Sequence, residues 1–504
     1  MSRTRFDVVV IGGGHNGLAA AAYLARAGRS VVVLERDDVV GGAARSAEVF
    51  AGLGARLSKY SYLVSLLPEL VIDELGLDIE LCGRRISSYT PVGGGGVLVD
   101  DGDPGRTDGD LGGDAAAWHR WYELTTRAAG RLFPTLTEPL RDRDAVRRHL
   151  GDDETWSLLV ERPLGVSLSE RFADDVVRGI VGTDGLIGTF TSLEDPSLLA
   201  NRCLLYHVIG RGTGRWDVPV GGMGALTTAL AGAATSAGTT IRTGCAARAV
   251  HPGEHGASAR VELVDGSVIE ARHVLANVAP AVLDRLLHHP ARAPRPEGAQ
   301  LKINLLLRRL PRLRDPNTTP EQAFAGTFHI NESYRQLETA YRQAAAGQIA
   351  SRPPCEVYCH SLTDPSILSP DLQAQGAHTL TLFGLHMPAR LFRADPAGAL
   401  ERATTATMAS LDSVLAEPIA RCLYDPSTIE VMGPLEIEAN LGMPGGHIFH
   451  RDLQWPFAET EAEVGQWGVE TQYPDVLICG AGARRGGGVS AIPGRNAAMA
   501  VLGS

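Results

Sequence analysis

Residues 6–46, FDVVVIGGGHNGLAAAAYLARAGRSVVVLERDDVVGGAARS, constrain the fold more than any other stretch of the chain. Val8–Ile11 is a β-branched run suited to a strand buried on both faces. Gly12, Gly14 and Gly17 follow in the spacing Gly-x-Gly-x-x-Gly, and the alanine-rich Leu18–Ala27 reads as a helix ended by Gly28. In this arrangement Gly12 allows the tight turn and Gly14 lets the backbone approach a pyrophosphate. Gly17 lets the helix pack closely on the strand. The helix N-terminus presents free N–H groups and a positive dipole end to phosphates, and His15 and Asn16, in the turn before it, are candidate cofactor-binding residues. A second strand, Ser30–Leu34, ends at Glu35, eighteen residues after Gly17. A carboxylate there accepts the hydroxyls of an adenosine ribose and repels a 2′-phosphate. Strand, turn, helix, strand and acid together predict a site for an adenine dinucleotide other than NADP.

Bulk properties narrow the field further. The chain has 504 residues, 44% of them hydrophobic and 21% charged, which suits a large soluble protein of several domains. A net charge of −11 argues against a nucleic-acid partner and against a broad basic membrane-binding face. Only Lys59 and Lys302 are lysines. The seven cysteines are scattered and never spaced C-x-x-C, so a reduced, cytoplasmic setting is expected. Cys355, Cys359 and His360 form the one tempting metal cluster, but CEVYCH reads better as a strand, and no metal is expected. No apolar run approaches the ~20 residues needed to cross a bilayer.

The nucleotide-binding pattern is interrupted. Tyr60, just before the run SYLVSLLPEL, and Tyr62 within it are candidates to line a cavity, but the run reads better as a core-packing helix. Residues 93–96 are a flexible glycine turn, and 114–200 read as mainly helical. Regular α/β character returns at 218–277, with a hairpin turning at Asp265-Gly266. Strand-like LKINLLLRRL and HTLTLFGLH and a helix near 398–416 follow. The chain then closes with a strand, DVLICG, a glycine-rich turn, AGARRGGG, and a helix from about Gly494. The expected fold is α/β: a discontinuous Rossmann-like FAD-binding domain, glutathione reductase-like, with an inserted α+β substrate domain. The cofactor domain takes residues 1–75, 216–290 and 441–504, and the substrate domain takes 76–215 and 291–440.

In order and spacing, VVVLERDDVVGGAARS, SYLVSLLPEL, VGGMGALTTAL, LKINLLL and LICGAGARRGGGVSAIPGRNAA resemble the FAD-containing amine oxidase and phytoene desaturase superfamily. The resemblance runs along essentially the whole chain. It is closest to the branch labelled pyridine nucleotide-disulphide oxidoreductase domain-containing. It implies that Gly12–Gly17 and Glu35 hold the ADP half of non-covalent FAD, with Gly41, Gly42 and Ala43 passing the pyrophosphate and ribityl chain. It also implies that Val250 lays backbone against adenine. Gly480, Gly482, Gly487, Gly488 and Val489 would cover the ribityl and isoalloxazine region. Many relatives carry arginine directly after the glycine doublet, where this chain has Ala43. Phosphate neutralisation would then fall to Arg36, to Arg45 or to the helix dipole alone. Paired redox cysteines and a second nucleotide fingerprint are both missing, which argues against disulphide chemistry and against routine use of NAD(P)H.

The resemblance implies an FAD-dependent oxidoreductase, a desaturase, dehydrogenase or oxidase, that takes two electrons from an apolar or amphipathic small molecule. Oxygen or a quinone would be the acceptor, and peripheral membrane contact is compatible with a greasy substrate. An amine oxidase, a redox-neutral flavin isomerase and a non-enzymatic prenyl carrier of the same fold are the alternatives. Three residues are candidates for chemistry. Lys302 starts a strand where amine-oxidase relatives place a lysine bonded through water to flavin N5; alternatively it is a strand-end lysine reaching solvent. His207 is a proton acceptor or a hydrogen-bonded core histidine. His447, with His450 nearby in GGHIFHRD, sits in a loop that resembles one near the flavin.

Overall fold

The computed structural model describes residues 4–254, 257–291 and 295–503, which form two seven-stranded sheets with helices on their faces. The first sheet is parallel at its centre. Strand Arg5–Ile11 lies between Val31–Leu34 and Val268–Ala276, and Val31–Leu34 is followed by Thr240–Arg242. On its far side Val268–Ala276 pairs first with the antiparallel Ala259–Leu263 and then with the parallel Val476–Ile478. The chain therefore returns to this sheet from three separated segments.

Both faces of these strands are buried, as the uninterrupted valines require. Val8, Val10, Val31 and Val33 pack against helices His15–Arg26, Met223–Ser236 and Ile492–Leu502. Phe6, Val9, Ile11, Val32 and Leu34 face the hairpin and helix Pro280–Leu286. A Cβ at Gly494 would stand 2.0 Å from the carbonyl oxygen of Asn16, so only glycine lets the final helix lie this close to the first.

The second sheet runs in the order 429–432, 301–307, 378–384, 355–358, 327–330, 86–92, 95–100. Its pairs are antiparallel except for 327–330 with 86–92. Of the glycines at 93–96, Gly93 and Gly94 make the turn joining its last two strands, and Gly95 and Gly96 begin the last strand. Leu301, Ile303, Leu305 and Leu307 pack on one side among helix Pro396–Asp412 and its neighbours. A helical cluster over residues 115–208, as expected from its arginine-rich amphipathic pattern, forms a third layer.

One expected element differs. SYLVSLLPEL is not a helix: the helix begins only at Glu69, capped by the extended Pro68, and Val64 instead bridges to Asp217. Proline has no N–H to donate and its ring disfavours helical backbone in the residue before it, so the helix that starts at Glu69 does not run back through Pro68, and residues 61–67 are irregular with a bend at 65–66. Tyr60 and Tyr62 lie outside any helix, and both line an interior cavity.

Candidate functional site

A single cavity of about 580 Å³ runs from the glycine turn of the first sheet to the edge of the second. At one end Gly12, Gly14, His15, Asn16, Glu35 and Arg36 line it. Gly12 adopts φ +100°, and a Cβ on it would lie 2.6 Å from the carbonyl oxygen of Asn277. On Gly17 a Cβ would sit 2.3 Å from the Gly12 oxygen. Gly17 does not line the cavity; it lets the helix close on the turn. Gly14 is the N-cap of the first helix and no side chain caps it, so the terminal N–H groups remain available to an anion.

Glu35 is buried and does two jobs. Its Oε2 accepts from Gly13 N at 2.8 Å and its Oε1 from Asp37 N at 2.9 Å, so it holds the turn as well as facing the cavity. Gly41 N donates to Gly13 O at 2.8 Å, which ties the doublet to the turn, while Gly42 and Ala43 reach the cavity. Arg36 lines the site with its guanidinium held by the Asn440 carbonyl. Arg45 does not reach the cavity: it pairs with Asp37 at 3.2 Å and lies over the Tyr60 ring. Of the two candidates for phosphate neutralisation, only Arg36 is at the wall. Sequence reasoning missed Arg248 and Arg285, which also line this end.

Val250 requires a correction. Its side chain is in the core with Phe6 and Ile11, and the cavity is lined instead by Cys245, Ala246, Ala247 and Arg248. A register shift between Ala247 and Ala249 displaces the strand, and Cys245 N donates to Glu35 O, which brings the earlier residues to the site.

The last segment closes over the middle of the cavity. Ala481, Gly488 and Val489 line it; Gly480, Gly482 and Gly487 do not. Those three make room for neighbours: a Cβ on Gly482 would meet Pro280 Cδ at 2.4 Å, and one on Gly487 would meet Leu453 Cδ2 at 2.5 Å. Arg484 anchors the turn through Glu459 and Glu463, and buried Arg485 anchors it through the carbonyls of Thr135, Glu138 and Trp467.

Four buried polar atoms around this end lack a protein partner: His15 Nε2, Asn16 Oδ1, Tyr60 OH and His450 Nδ1. Burial drives His15 down to about 4, against a hydrogen bond to the Gly488 backbone that favours its protonated form. Burial, reinforced by His447 and His15, drives His450 to about 3. Both rings are therefore neutral, and buried polar groups of this kind are ordinarily satisfied. The orphaned atoms, the glycine cradle and the uncapped helix fit a bound dinucleotide. His447 itself does not reach the cavity. Its Nε2 lies 3.3 Å from Asp452 and its Nδ1 accepts from Phe449 N, so His450 is the histidine of that loop at the wall.

Beyond the cradle, the floor is one row of the second sheet. Lys302 pairs with Phe383, Phe383 with Glu356 and Glu356 with His329, so four adjacent strands project these side chains to one face. All four line the cavity. Lys302 is only 2% exposed, so the solvent-reaching alternative is removed. Its Nζ donates to the carbonyls of Ser58 and Tyr60 and lies 4.9 Å from the Tyr62 ring centre. Burial lowers it to about 7 even though Glu430 favours its charged form.

His207 lines the same space, stacked on Trp216, and its Nδ1 lies 2.8 Å from Cys203 O. If Nδ1 carries the proton to that carbonyl, Nε2 is left as an acceptor. The far end gathers groups that spacing alone did not single out: Asp184, Glu356, His329, Arg84 and Tyr358. Tyr358 donates to Glu356 at 2.6 Å. Burial and the Glu332 carboxyl raise Glu356 to about 8, and burial raises Asp184. Burial opposes a charge on His329, but the carboxyls of Glu332 and Glu356 overcome it and lift it above its ordinary value. The alternation of LKIN, TFHI, CEVY and TLF was the available signal; which rows would meet was not.

Cys355 and Cys359, weighed above as ligands, hold no metal geometry with His360. Cys355 Sγ donates to Pro353 O and Cys359 Sγ lies by Ser361. The cluster with ligand geometry is instead His329, Glu332 and Glu356. Among the described residues no helix is long and apolar enough to cross a membrane.

Comparison with known proteins agrees with this geometry. An uncharacterized protein of Mycobacterium tuberculosis is 49% identical, covering 99% of this chain and 97% of that one. The Mus musculus pyridine nucleotide-disulfide oxidoreductase domain-containing protein 2 is 29% identical over 99% of this chain and 94% of its own length. Among solved structures, cyclohexylamine oxidase from Brevibacterium oxydans shares the fold, with a TM-score of 0.57 at 17% identity over 98% of each chain. The family model for flavin containing amine oxidoreductases matches residues 17–308. With a dinucleotide cradle, a flavin-sized cavity and a match over more than half its length, the chain belongs to the flavin containing amine oxidoreductase family and is a flavoprotein oxidoreductase.

Proposed function

We propose that this chain holds FAD non-covalently and uses it to remove two electrons from an amphipathic small molecule. The observation that carries the reading is the continuity of the cavity, which passes from the glycine cradle by Lys302 and Tyr62 to Glu356 and His329. Bound FAD supplies the two-electron acceptance, as a hydride acceptor at N5. Gly14 and the first helix hold the pyrophosphate, and Glu35 takes the ribose. Tyr62, Phe383 and Trp216 give the substrate's apolar body a dry aromatic bed. The polar groups at Glu356, His329 and Arg84 meet its polar end. Lys302 Nζ, buried and near neutrality, holds or releases a proton beside that bed, and His207 Nε2 is a second acceptor.

The reading is tested on purified protein. It expects stoichiometric FAD that acid releases from the polypeptide, and bleaching of the flavin under anaerobic conditions by amphipathic alcohols, amines or alkenes. Reoxidation with oxygen and with a quinone then separates oxidase from dehydrogenase. Protein that is colourless and gives no bound-flavin spectrum after incubation with FAD would sink the proposal.

The carboxyls at the far end favour a second reading, an amine oxidase, in which Asp184 and Glu356 face a substrate ammonium. Hydrogen peroxide released on adding amines, and on no other class, would select it.

A further inference from the structure

The far end of the cavity carries more buried acid than its cations neutralise. Asp184, Glu332 and Glu356 come together there with the guanidinium of Arg84 and the imidazoles of His329 and His207. Arg84 gives its hydrogen bonds to Trp216 O and Thr327 Oγ1 and to none of the three carboxyls. His207 is turned to Cys203 O. Carboxylates removed from water are strongly disfavoured in their charged form unless a proton or a cation joins them.

Three of these side chains have the geometry of a ligand set. His329 and Glu356 are directly opposite one another on adjacent antiparallel strands. Asn331, in the left-handed region at φ 55°, turns the chain so that Glu332 comes back against His329, with Nδ1 and Oε2 2.7 Å apart. Helix Asp175–Thr183 presses on this turn so closely that a Cβ on Gly179 would stand 1.7 Å from Glu332 O. One ligand atom from each of His329, Glu332 and Glu356 lies within 4.8 Å of the others. Metal bonds of about 2.1 Å place ligand atoms about 3–4 Å apart, so small side-chain rotations close the set.

One further observation points to a cation. Glu332 is 1% exposed, and its close neighbours are His329, whose Nδ1 lies 2.7 Å from Oε2 but out of hydrogen-bond alignment, and the fully buried Thr183, so its carboxylate keeps lone pairs for a cation.

We propose that His329, Glu332 and Glu356 bind one first-row divalent cation at the far end of the cavity. Glu356 and His329 line the cavity and Glu332 seals the site from behind, so the remaining coordination positions open toward the cavity. One imidazole and two carboxylates suit Mn²⁺, Fe²⁺ or Zn²⁺ better than a soft ion. The cation would neutralise the buried acid and offer an open position to water or to an oxygen or nitrogen donor of the substrate. That role toward substrate rests on the reading of the cavity given above; the binding itself does not.

The test uses the full-length protein, stripped with EDTA and titrated with Mn²⁺ while free Mn²⁺ is followed by electron paramagnetic resonance. FAD content is read optically in the same sample. One Mn²⁺ per chain is expected, with affinity falling at least tenfold in both Glu332→Gln and Glu356→Gln and unchanged in Glu417→Gln. FAD content stays constant across the series and reports folding. Failure of the wild type to bind Mn²⁺, or equal binding by wild type and both cluster variants, overturns the assignment and means that protons neutralise the cluster. Protein that binds FAD but no Mn²⁺ defeats this inference alone. Protein that binds Mn²⁺ through Glu332 but takes up no FAD keeps the site and defeats the flavin reading.

Discussion

The two ends of the cavity are built on different principles. The nucleotide end is made of backbone: positive φ at Gly12, the absence of a Cβ at Gly17, an uncapped helix start at Gly14. The substrate end is made of side chains, with Lys302, Phe383, Glu356 and His329 delivered by four strands and Asp184 by a helix terminus. A backbone site depends on local geometry, and one substitution can close it. A side-chain site depends on sheet register, so a substitution changes its chemistry and leaves its frame.

The largest effect that follows belongs to the backbone end. Gly12→Ala and Gly17→Ala each drive a Cβ into a fixed carbonyl oxygen. FAD affinity should fall roughly 100-fold or more, read as loss of bound flavin on gel filtration. If either variant keeps its flavin, the cradle is more yielding than this contrast allows. Glu35→Ala comes next. It removes a carboxylate that accepts from Gly13 N in the turn and from Asp37 N after the second strand, and hydrogen bonds to charged groups contribute about 1.5–3 kcal/mol. FAD titration should show roughly 10- to 100-fold weaker binding.

At the side-chain end the test is a pH profile. Lys302 falls from an ordinary 10.5 to about 7 in the folded chain, chiefly through burial. Between those values the unfolded chain binds the proton and the folded chain does not, so stability rises with pH across the window. The penalty is absent above 10.5, grows as pH falls and is complete below about 7. Lys302→Met should flatten this part of the melting-temperature profile relative to wild type while leaving FAD content intact. An unchanged profile would show that Lys302 does not titrate as its burial requires.

The smallest effect sharpens the boundary between core and site. Val250→Ala should cost about 1–3 kcal/mol in chemical denaturation, because it leaves a void beside Phe6 and Ile11. FAD affinity should not change. A specific loss of affinity would return Val250 to the adenine contact from which the register shift removes it.

Much of the backbone end is legible in the chain. The strand–turn–helix of residues 5–26, the acid at Glu35, the hairpin at Asp265-Gly266 and the closing strand and helix all stand where their spacing places them. Glycine spacing encodes local backbone geometry, which needs no partner from elsewhere. The departures have local causes as well: Pro68 stops a helix from reaching Tyr60 and Tyr62, and a register shift near Ala247 displaces Val250 from the wall. His447 and His450 differ by three residues in one loop, and only the path of that loop decides that His450 faces the cavity.

By itself, then, the amino-acid order determined a dinucleotide-binding α/β unit, because periodicity, glycine spacing and a strand-end carboxylate act over a few dozen residues. Only the tertiary structure decided what stands opposite that unit. Lys302, Phe383, Glu356 and His329 become one row through cross-strand register, and Glu332 joins them through a left-handed turn at Asn331. Register is set by packing across the whole sheet, so no single segment carries it.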